Sequence, residues 1–172
     1  QRFRNYRNWP AKNFATIAQY AHQTHGAEII LTGAATRIEQ EYGATITAEA
    51  GVPIKNLIGK TTLKQLLALL DRADFLICPD SGPAHMATTV GTPVIGLYAT
   101  SNPGRTGPYN SQDLVVNRYP EAVNREYGKP VNSLRWGRRV RDPDAMELIR
   151  AEDVTEKIDM IIRSDRLSGN IY

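Results

Sequence analysis

Two short apolar runs, at residues 75–78 and 94–98, enclose a tight turn and a helical pattern, and this order constrains the fold more than any other feature. Each run is too short for a buried helix and is typical of a strand that is covered on both faces. The turn at residues 79–83 and the helical spacing after it, which ends at Gly91, connect the two runs. Strands joined by one helical crossover lie parallel, so the pattern predicts right-handed βαβ units and a parallel sheet.

Similar patterns flank this unit. Apolar spacing predicts strands over residues 28–32 and 114–116, and helices over residues 10–25, 36–50 and 151–162. Residues 52–58, which contain Pro53, are predicted to be a short strand or an extended connection. A further helix is capped by Thr61 or Thr62 and carries its apolar face on Leu63, Leu66, Leu67 and Leu70. We expect residues 117–143 to be irregular and basic, and the tail from Ser164 to be frayed.

The composition fits one globular domain over residues 1–172 and limits the classes of ligand that the chain is expected to bind. Hydrophobic residues make up 41% of the chain and charged residues 23%, and the net charge of +3 is mildly basic. Such a charge permits an anionic ligand or an anionic membrane surface, but we expect no nucleic-acid partner. The chain begins with Gln1 in a polar, basic stretch, and we therefore expect it to be a piece of a longer protein whose N-terminal part is missing.

The single cysteine, Cys78, excludes an internal disulfide and a cysteine-based zinc cluster, and its apolar surroundings predict a buried thiol that is no nucleophile. No group of His, Cys or carboxylate residues has metal-ligand spacing, so we predict no metal site. No apolar run reaches the roughly 18–20 residues that span a bilayer, and the start has no signal-peptide pattern. These observations favour a cytoplasmic protein.

The turn between the two apolar runs is the candidate binding site. Ser81 or Asp80 can cap the helix that follows, Gly82 permits a close approach of ligand to backbone, and His85 can add a donor. A helix N-terminus binds anions, and ligands of parallel sheets bind at the carboxyl ends of the strands. The pattern predicts a pyrophosphate site, or else an ordinary helix cap with a packed or solvated His85. A serine hydrolase is excluded because Asp80, Ser81 and His85 crowd one helical turn and Gly-x-Ser-x-Gly is absent.

A compact basic run surrounds Trp136 and consists of Arg135, Arg138, Arg139 and Arg141. One interpretation is contact with a phosphorylated lipid acceptor or with the anionic face of a membrane. The other is a solvated basic loop, which Asp142 and Asp144 partly neutralise.

Three segments carry a family resemblance. Residues 80–87, Asp-Ser-Gly-Pro-Ala-His-Met-Ala, and residues 91–94, Gly-Thr-Pro-Val, are similar to a donor-site signature. Residues 56–63, Asn-Leu-Ile-Gly-Lys-Thr-Thr-Leu, resemble the stretch before the preceding helix, and Arg7 with Trp9-Pro10 resembles a basic-x-Trp-Pro entry to a C-terminal half. In this order the segments resemble the family 9 glycosyltransferases, the bacterial heptosyltransferases of lipopolysaccharide core assembly.

The resemblance implies the C-terminal lobe of a two-lobed GT-B enzyme, a Rossmann-like parallel sheet with helices on both faces that binds a nucleotide sugar. It implies that the diphosphate and the sugar are held by Asp80, Ser81, Gly82 and His85. The adenine is bordered by Lys60, Thr61 and Thr62, with Leu63 packed nearby. The resemblance implies that Arg7 neutralises the leaving phosphate, and the alternative is an exposed arginine near the chain start. It also implies that Glu39, or equally Glu41, binds the ribose, and the alternative is that both are surface charges.

The resemblance further implies inverting transfer of heptose from ADP-heptose to a lipid-linked saccharide, without a cofactor or metal, at the cytoplasmic face of the bacterial inner membrane. The catalytic base of the family lies in the N-terminal acceptor lobe, which is missing here. We therefore assign no catalytic residue and expect this chain to bind a donor without transferring it. Two alternatives stay open: another GT-B nucleotide-sugar enzyme, such as an epimerase with Asp-Ser-Gly-Gly where Pro83 follows here, and a non-catalytic nucleotide-binding module.

Overall fold

The computed structural model describes residues 5–168 and divides them into two compact units. Unit 1 contains the entry segment up to Pro10 and Thr62–Ile149, and unit 2 contains Ala11–Thr61 and the chain from Arg150 onward. Each unit combines parallel strands with helices, which confirms the predicted α/β class.

Helices and strands alternate through most of the described chain. The helices are α1 Ala11–His25, α2 Arg37–Glu49, α3 Leu63–Arg72, α4 Gly82–Thr89, α5 Pro103–Thr106, α6 Tyr119–Tyr127 and α7 Ala151–Ser168. The strands are β1 Ile29–Leu31, β2 Ile54–Asn56, β3 Leu76–Pro79, β4 Val94–Tyr98 and β5 Val116–Asn117. Short 3-10 turns lie at Asn5–Arg7, Gln112–Leu114, Val131–Ser133 and Ala145–Leu148. No helix among residues 5–168 is both long and apolar enough to cross a membrane.

In unit 1 the strands form a parallel sheet in the order β3-β4-β5. Every residue of β4 is buried, as the continuous apolar run predicted. The core between this sheet and helices α3 and α4 contains Leu66, Leu70, Cys78, Ala84, Ala87 and Val94. Small alanines on α4 let the helix pack closely on β3 and β4, so the turn before α4 is held at the carboxyl end of β3.

The buried face of helix α3 differs from the predicted apolar face. Leu66 and Leu70 are buried as expected, but Leu63 is 75% exposed. Leu63 is the first residue of the helix, and the core is filled from the following turns by Leu66 and Leu70. Of the two threonines that could begin this helix, the structure selects Thr62, whose hydroxyl accepts from the Gln65 amide while the Gln65 side chain accepts from the Thr62 amide.

The segment 117–143 is not irregular throughout, because α6 occupies its first part. Pro120 stands in the first turn of α6, and Gly128 ends the helix with a φ of +62°, a conformation that glycine adopts without strain. Tyr119, Ala122 and Val123 form its buried face. A buried face of three residues in a largely polar segment gives too short an apolar period to indicate a helix. Nearby, the strand predicted over residues 114–116 is reduced to β5 because its first residue belongs to the 3-10 turn Gln112–Leu114.

In unit 2, β1 and β2 pair in parallel, with Ile30 opposite Lys55. Helices α1 and α2 pack together through a core that includes Ala15, Ala18 and Ile46. Helix α7 extends past its predicted end at residue 162 as far as Ser168, so Ser164 is helical. The rest of the expected frayed tail, residues 169–172, lies outside the described residues.

Candidate functional site

The candidate site of unit 1 is the turn between β3 and α4. Strand β3 ends at Pro79, and α4 begins at Gly82. Ser81 occupies the N-cap position with an extended backbone, as predicted, but its side chain makes no capping hydrogen bond. A capping side chain would occupy amides that an anion can bind, so this helix start keeps its capacity for an anionic ligand.

Asp80 lies between two arginines. Nη2 of Arg7 donates to the main-chain oxygen of Asp80 over 2.6 Å and lies 3.4 Å from its Oδ2. Nη1 of Arg139 lies 3.3 Å from the same Oδ2. The Asp80 side chain is 10% exposed, whereas those of Arg7 and Arg139 are 33% and 36% exposed. Two guanidinium groups face one carboxylate, so the site keeps a surplus positive charge beside the positive end of α4.

Arg7 is held in place by the residues that follow it. Trp9 is fully buried, and its indole Nε1 donates to the main-chain oxygen of Ile149 over 2.9 Å. The Nε of Arg7 is buried and has no hydrogen-bond partner among residues 5–168. A buried donor without a partner costs about 1–3 kcal/mol, which an anionic oxygen near the guanidinium would offset. The arginine of the basic-x-Trp-Pro segment is therefore part of the site and not a solvated side chain near the chain start.

Arg139 is a site residue that the sequence did not single out from the basic run. Its neighbour Val140 is fully buried and donates from its amide to the Thr100 oxygen over 3.0 Å, just beyond the end of β4. The Tyr127 hydroxyl donates to the main-chain oxygen of Arg139 over 2.8 Å. The sequence signal that points to this arrangement is Val140 itself, an isolated apolar residue among arginines.

The end of β4 contributes two further features. The Oγ of Ser101, a residue that is 4% exposed, has no hydrogen-bond partner within the described part of the chain. The Tyr98 hydroxyl donates to the Thr106 oxygen over 2.9 Å. Burial, and then the negative charge of Asp80, raise the pKa of Tyr98, so it remains a neutral donor. Neither Ser101 nor Tyr98 was predicted as a site residue.

His85 and Cys78 complete the surroundings of the turn. His85 lies in the first turns of α4, is exposed, and makes no hydrogen bond to residues 5–168. It is therefore solvated and not packed. Burial raises the pKa of the Cys78 thiol to about 12, against a smaller lowering by the Ser81 hydroxyl. The predicted buried thiol is confirmed.

Unit 2 carries the predicted ribose residue at the carboxyl end of β1. Oε2 of Glu39 accepts from the Ala34 amide over 2.6 Å. A Cβ at position 33 would collide with this carboxylate, so a larger residue there would displace the Glu39 side chain from its present position. Glu41, which the sequence made equally eligible, pairs with Arg37 over 2.7 Å on the exposed surface of α2. Of the two carboxylates, only that of Glu39 is hydrogen-bonded to the main chain that follows β1.

Lys60 and Thr61 follow the end of β2 in the same unit. The Gly59 amide donates to the Gly33 oxygen over 2.9 Å, so the two turns after β1 and β2 lie side by side. Nζ of Lys60 donates to the Asn56 oxygen over 2.9 Å and is exposed. The structure thus brings Glu39 and Lys60 to one edge of unit 2, as Arg7, Asp80, Ser81 and Gly82 come to one edge of unit 1. Among residues 5–168 no three His, Cys, Asp or Glu side chains are grouped so that they could hold a metal ion.

Solved structures define the class of this fold. A crystal structure of a family 9 glycosyltransferase from Veillonella parvula superposes with a TM-score of 0.71 at 22% identity, over 92% of this chain and 43% of that one. The structure of the Escherichia coli ADP-heptose lipopolysaccharide heptosyltransferase II superposes with a TM-score of 0.68 at 23% identity, over 93% of this chain and 43% of that one. The chain therefore has the fold of one lobe of a GT-B glycosyltransferase.

Sequence comparison identifies the family. The chain belongs to glycosyltransferase family 9 (heptosyltransferase), whose sequence profile matches residues 2–134. It is 44% identical over 148 residues to the lipopolysaccharide core heptosyltransferase OpsX of Haemophilus influenzae, which covers 86% of this chain and 42% of that protein. It is 32% identical over 114 residues to the lipooligosaccharide heptosyltransferase 2 of Campylobacter jejuni, covering 64% and 35% of the two chains. The chain thus spans less than half the length of these relatives, and the resemblance drawn from its motifs is confirmed.

Proposed function

We propose that this chain is the donor-binding lobe of a heptosyltransferase of lipopolysaccharide core synthesis. In the complete protein it would bind ADP-heptose, and heptose would pass to a lipid-linked saccharide held by the acceptor lobe. The observation that carries the proposal is the position of Asp80 between Arg7 and Arg139 at the start of α4. Family membership and the similarity to OpsX support the choice of sugar class.

The site chemistry suits departure of a nucleoside diphosphate. When an acceptor hydroxyl attacks the anomeric carbon with inversion, the glycosidic bond to the diphosphate breaks and negative charge grows on the leaving oxygen. Guanidinium groups and helix amides that are already in position stabilise such charge most in the transition state. Because the arginines supply this positive charge, we propose that the reaction needs neither metal nor cofactor. The base that takes the hydroxyl proton is expected in the acceptor lobe.

The other donor contacts that we propose are those to the ribose and the adenine. Glu39, at the end of β1, is assigned to the ribose, and its position at the strand edge supports it over Glu41. By the family resemblance, Lys60, Thr61, Thr62 and Leu63 are assigned to the adenine. The Thr62 hydroxyl and amide are both engaged in its helix cap, so its contact with the adenine would be made by packing.

We also propose peripheral contact with the anionic cytoplasmic face of the inner membrane. The support is the arginine–tryptophan turn, defined as residues 135–138. Trp136 is 67% exposed, and Arg135 and Arg138 are exposed on either side of it. The main chain of this turn is fixed by the hydrogen bond from the Tyr119 hydroxyl to the Arg138 oxygen, 2.6 Å long. Cationic side chains flanking an exposed indole suit the boundary of an anionic bilayer.

The proposed function is tested by calorimetric titration of the chain with ADP, UDP and GDP, repeated on Arg7→Gln and His85→Ala. We expect selective binding of ADP that weakens in both variants. Selective binding of UDP would favour another GT-B enzyme, such as an epimerase. Binding of no nucleotide by the folded chain would contradict the proposal. ADP binding by a complete protein that transfers no heptose would favour a non-catalytic nucleotide-binding module.

A further inference from the structure

Arg139 reaches the turn after β3 from a part of the chain that forms no helix or strand. The peptide bond that follows Arg139 is hydrogen-bonded at both of its polar groups, since the Arg139 oxygen accepts from the Tyr127 hydroxyl and the Val140 amide donates to the Thr100 oxygen. Val140 is fully buried, which anchors the backbone next to Arg139. The fold therefore fixes the backbone position from which the Arg139 side chain reaches Asp80.

The ion pair with Asp80 does not by itself explain why a second arginine is placed at this turn. Arg7 already fixes Asp80 through the main-chain oxygen at 2.6 Å and the carboxylate at 3.4 Å. The contact of Arg139 is directed at the same Oδ2 over 3.3 Å and employs one of its five N–H donors. About a third of the side chain remains exposed, so part of it is open to solvent.

The charges at the turn point to an anionic ligand with more than one phosphate. One carboxylate neutralises one guanidinium, and the second positive charge remains beside the amide end of α4. Arginine binds phosphate through two parallel N–H donors, so two arginines can each hold a different phosphate oxygen. The buried, unpartnered Nε of Arg7 is an independent sign that the site is incomplete without an acceptor.

We propose that Arg139 is a second diphosphate-binding arginine of the donor site and acts with Arg7. This inference rests on the proposed function, since it names a residue that binds the same donor. Arg139 contacts the diphosphate directly, and its contact with Asp80 keeps the guanidinium oriented before the donor arrives. The sequence separation of 59 residues between Asp80 and Arg139 explains why no local motif includes it.

The test compares ligands with and without phosphates on matched variants. Arg139→Gln removes the guanidinium and its charge but keeps a polar side chain, and Arg139→Lys keeps the charge without the planar fork. The control is Arg125→Gln, which removes the same charge and an ion pair with Asp142 from the same region of sequence. Affinity for ADP is measured by calorimetry and affinity for adenosine by ligand-observed NMR, and thermal unfolding reports whether each variant is folded.

We expect Arg139→Gln to weaken ADP at least about tenfold and to leave adenosine unchanged, because a hydrogen bond to a charged group is lost. Arg139→Lys should retain part of the affinity, and Arg125→Gln should bind both ligands as the wild type does. Unchanged ADP binding in Arg139→Gln would overturn the inference while leaving the proposed function standing. An equal loss for ADP and adenosine would overturn it too, since that result indicates a structural role. Failure of the wild type to bind ADP would contradict the proposed function, and the inference would fall with it.

Discussion

Nη2 of Arg7 lies 2.6 Å from the main-chain oxygen of Asp80, although 73 residues separate the two in sequence. The family resemblance assigned these residues to the donor separately, and the structure joins them into one group. Arg7 thereby connects the entry segment to the end of β3. The arginine of the basic-x-Trp-Pro segment and the aspartate of the Asp-Ser-Gly-Pro turn belong to one electrostatic unit.

Asp80→Asn should lower the free energy of unfolding by about 1 kcal/mol at low salt. The substitution leaves two guanidinium groups without their counter-charge, and their partial exposure limits the loss. Urea denaturation at low and high salt measures the difference, which should shrink as salt rises. Asp74→Asn, at an exposed carboxylate, is the control. Equal effects of the two substitutions would show that the arginines do not depend on Asp80.

Trp9→Phe should lower the free energy of unfolding by about 2 kcal/mol. It removes part of a fully buried ring and leaves the Ile149 oxygen without its indole donor. Trp136→Phe is the matched control, since Trp136 is largely exposed, and should change stability by less than about 0.5 kcal/mol. Chemical denaturation followed by circular dichroism separates the two. A stable Trp9→Phe variant would mean that the entry segment is not anchored through this ring.

The arginine–tryptophan turn should bind vesicles that contain phosphatidylglycerol and not vesicles of phosphatidylcholine alone. Arg135→Ala should weaken binding about fivefold, from roughly 1 kcal/mol per cation at an anionic surface. Trp136→Ala should weaken it further by removing the exposed indole. Co-sedimentation measures the bound fraction, and Arg72→Ala removes the same charge at the end of α3 as a control. Equal binding to both vesicle types, or equal losses for Arg135→Ala and Arg72→Ala, would argue against a role for the turn.

Cys78 should react slowly with thiol reagents in the folded protein. Its pKa is raised from 9.0 to about 12, so at pH 8 the reactive thiolate is about a thousandfold scarcer than for an ordinary thiol. A disulfide reagent should react slowly with the native chain and rapidly in guanidinium chloride. Because the native pKa lies above the unfolded value, this thiol stabilises the fold below about pH 9 and stops doing so as pH rises toward 12. Rapid modification of native protein would mean that β3 opens readily.

Local patterns predicted strands β3 and β4 well because both are continuous apolar runs. Strand β4 matches its predicted range of 94–98, and α4 follows the predicted turn. The same local logic failed for Leu63, since apolar spacing does not reveal where a core ends along a helix. It also missed α6, whose buried face is limited to Tyr119, Ala122 and Val123 in a largely polar segment.

The candidate site was predictable only where its residues belong to contiguous motifs. The turn residues Asp80, Ser81 and Gly82 were found in this way. Arg139 was not, because the contacts that direct it involve a tyrosine hydroxyl on α6 and the main chain beyond β4. Ser101 was hidden for a related reason: its burial is set by tertiary packing in a stretch whose composition is typical of an exposed loop.

The division of the chain into units has a consequence for synthesis. Unit 1 is built from two separate stretches, and so is unit 2, whose second stretch begins at Arg150. No single cut in the chain releases either unit whole. During translation every residue of unit 1 has been made once Ile149 is added, whereas unit 2 must wait for α7, which packs on α1. A ribosome stalled before α7 would therefore carry a complete unit 1 and a unit 2 whose α1 still lacks its partner helix.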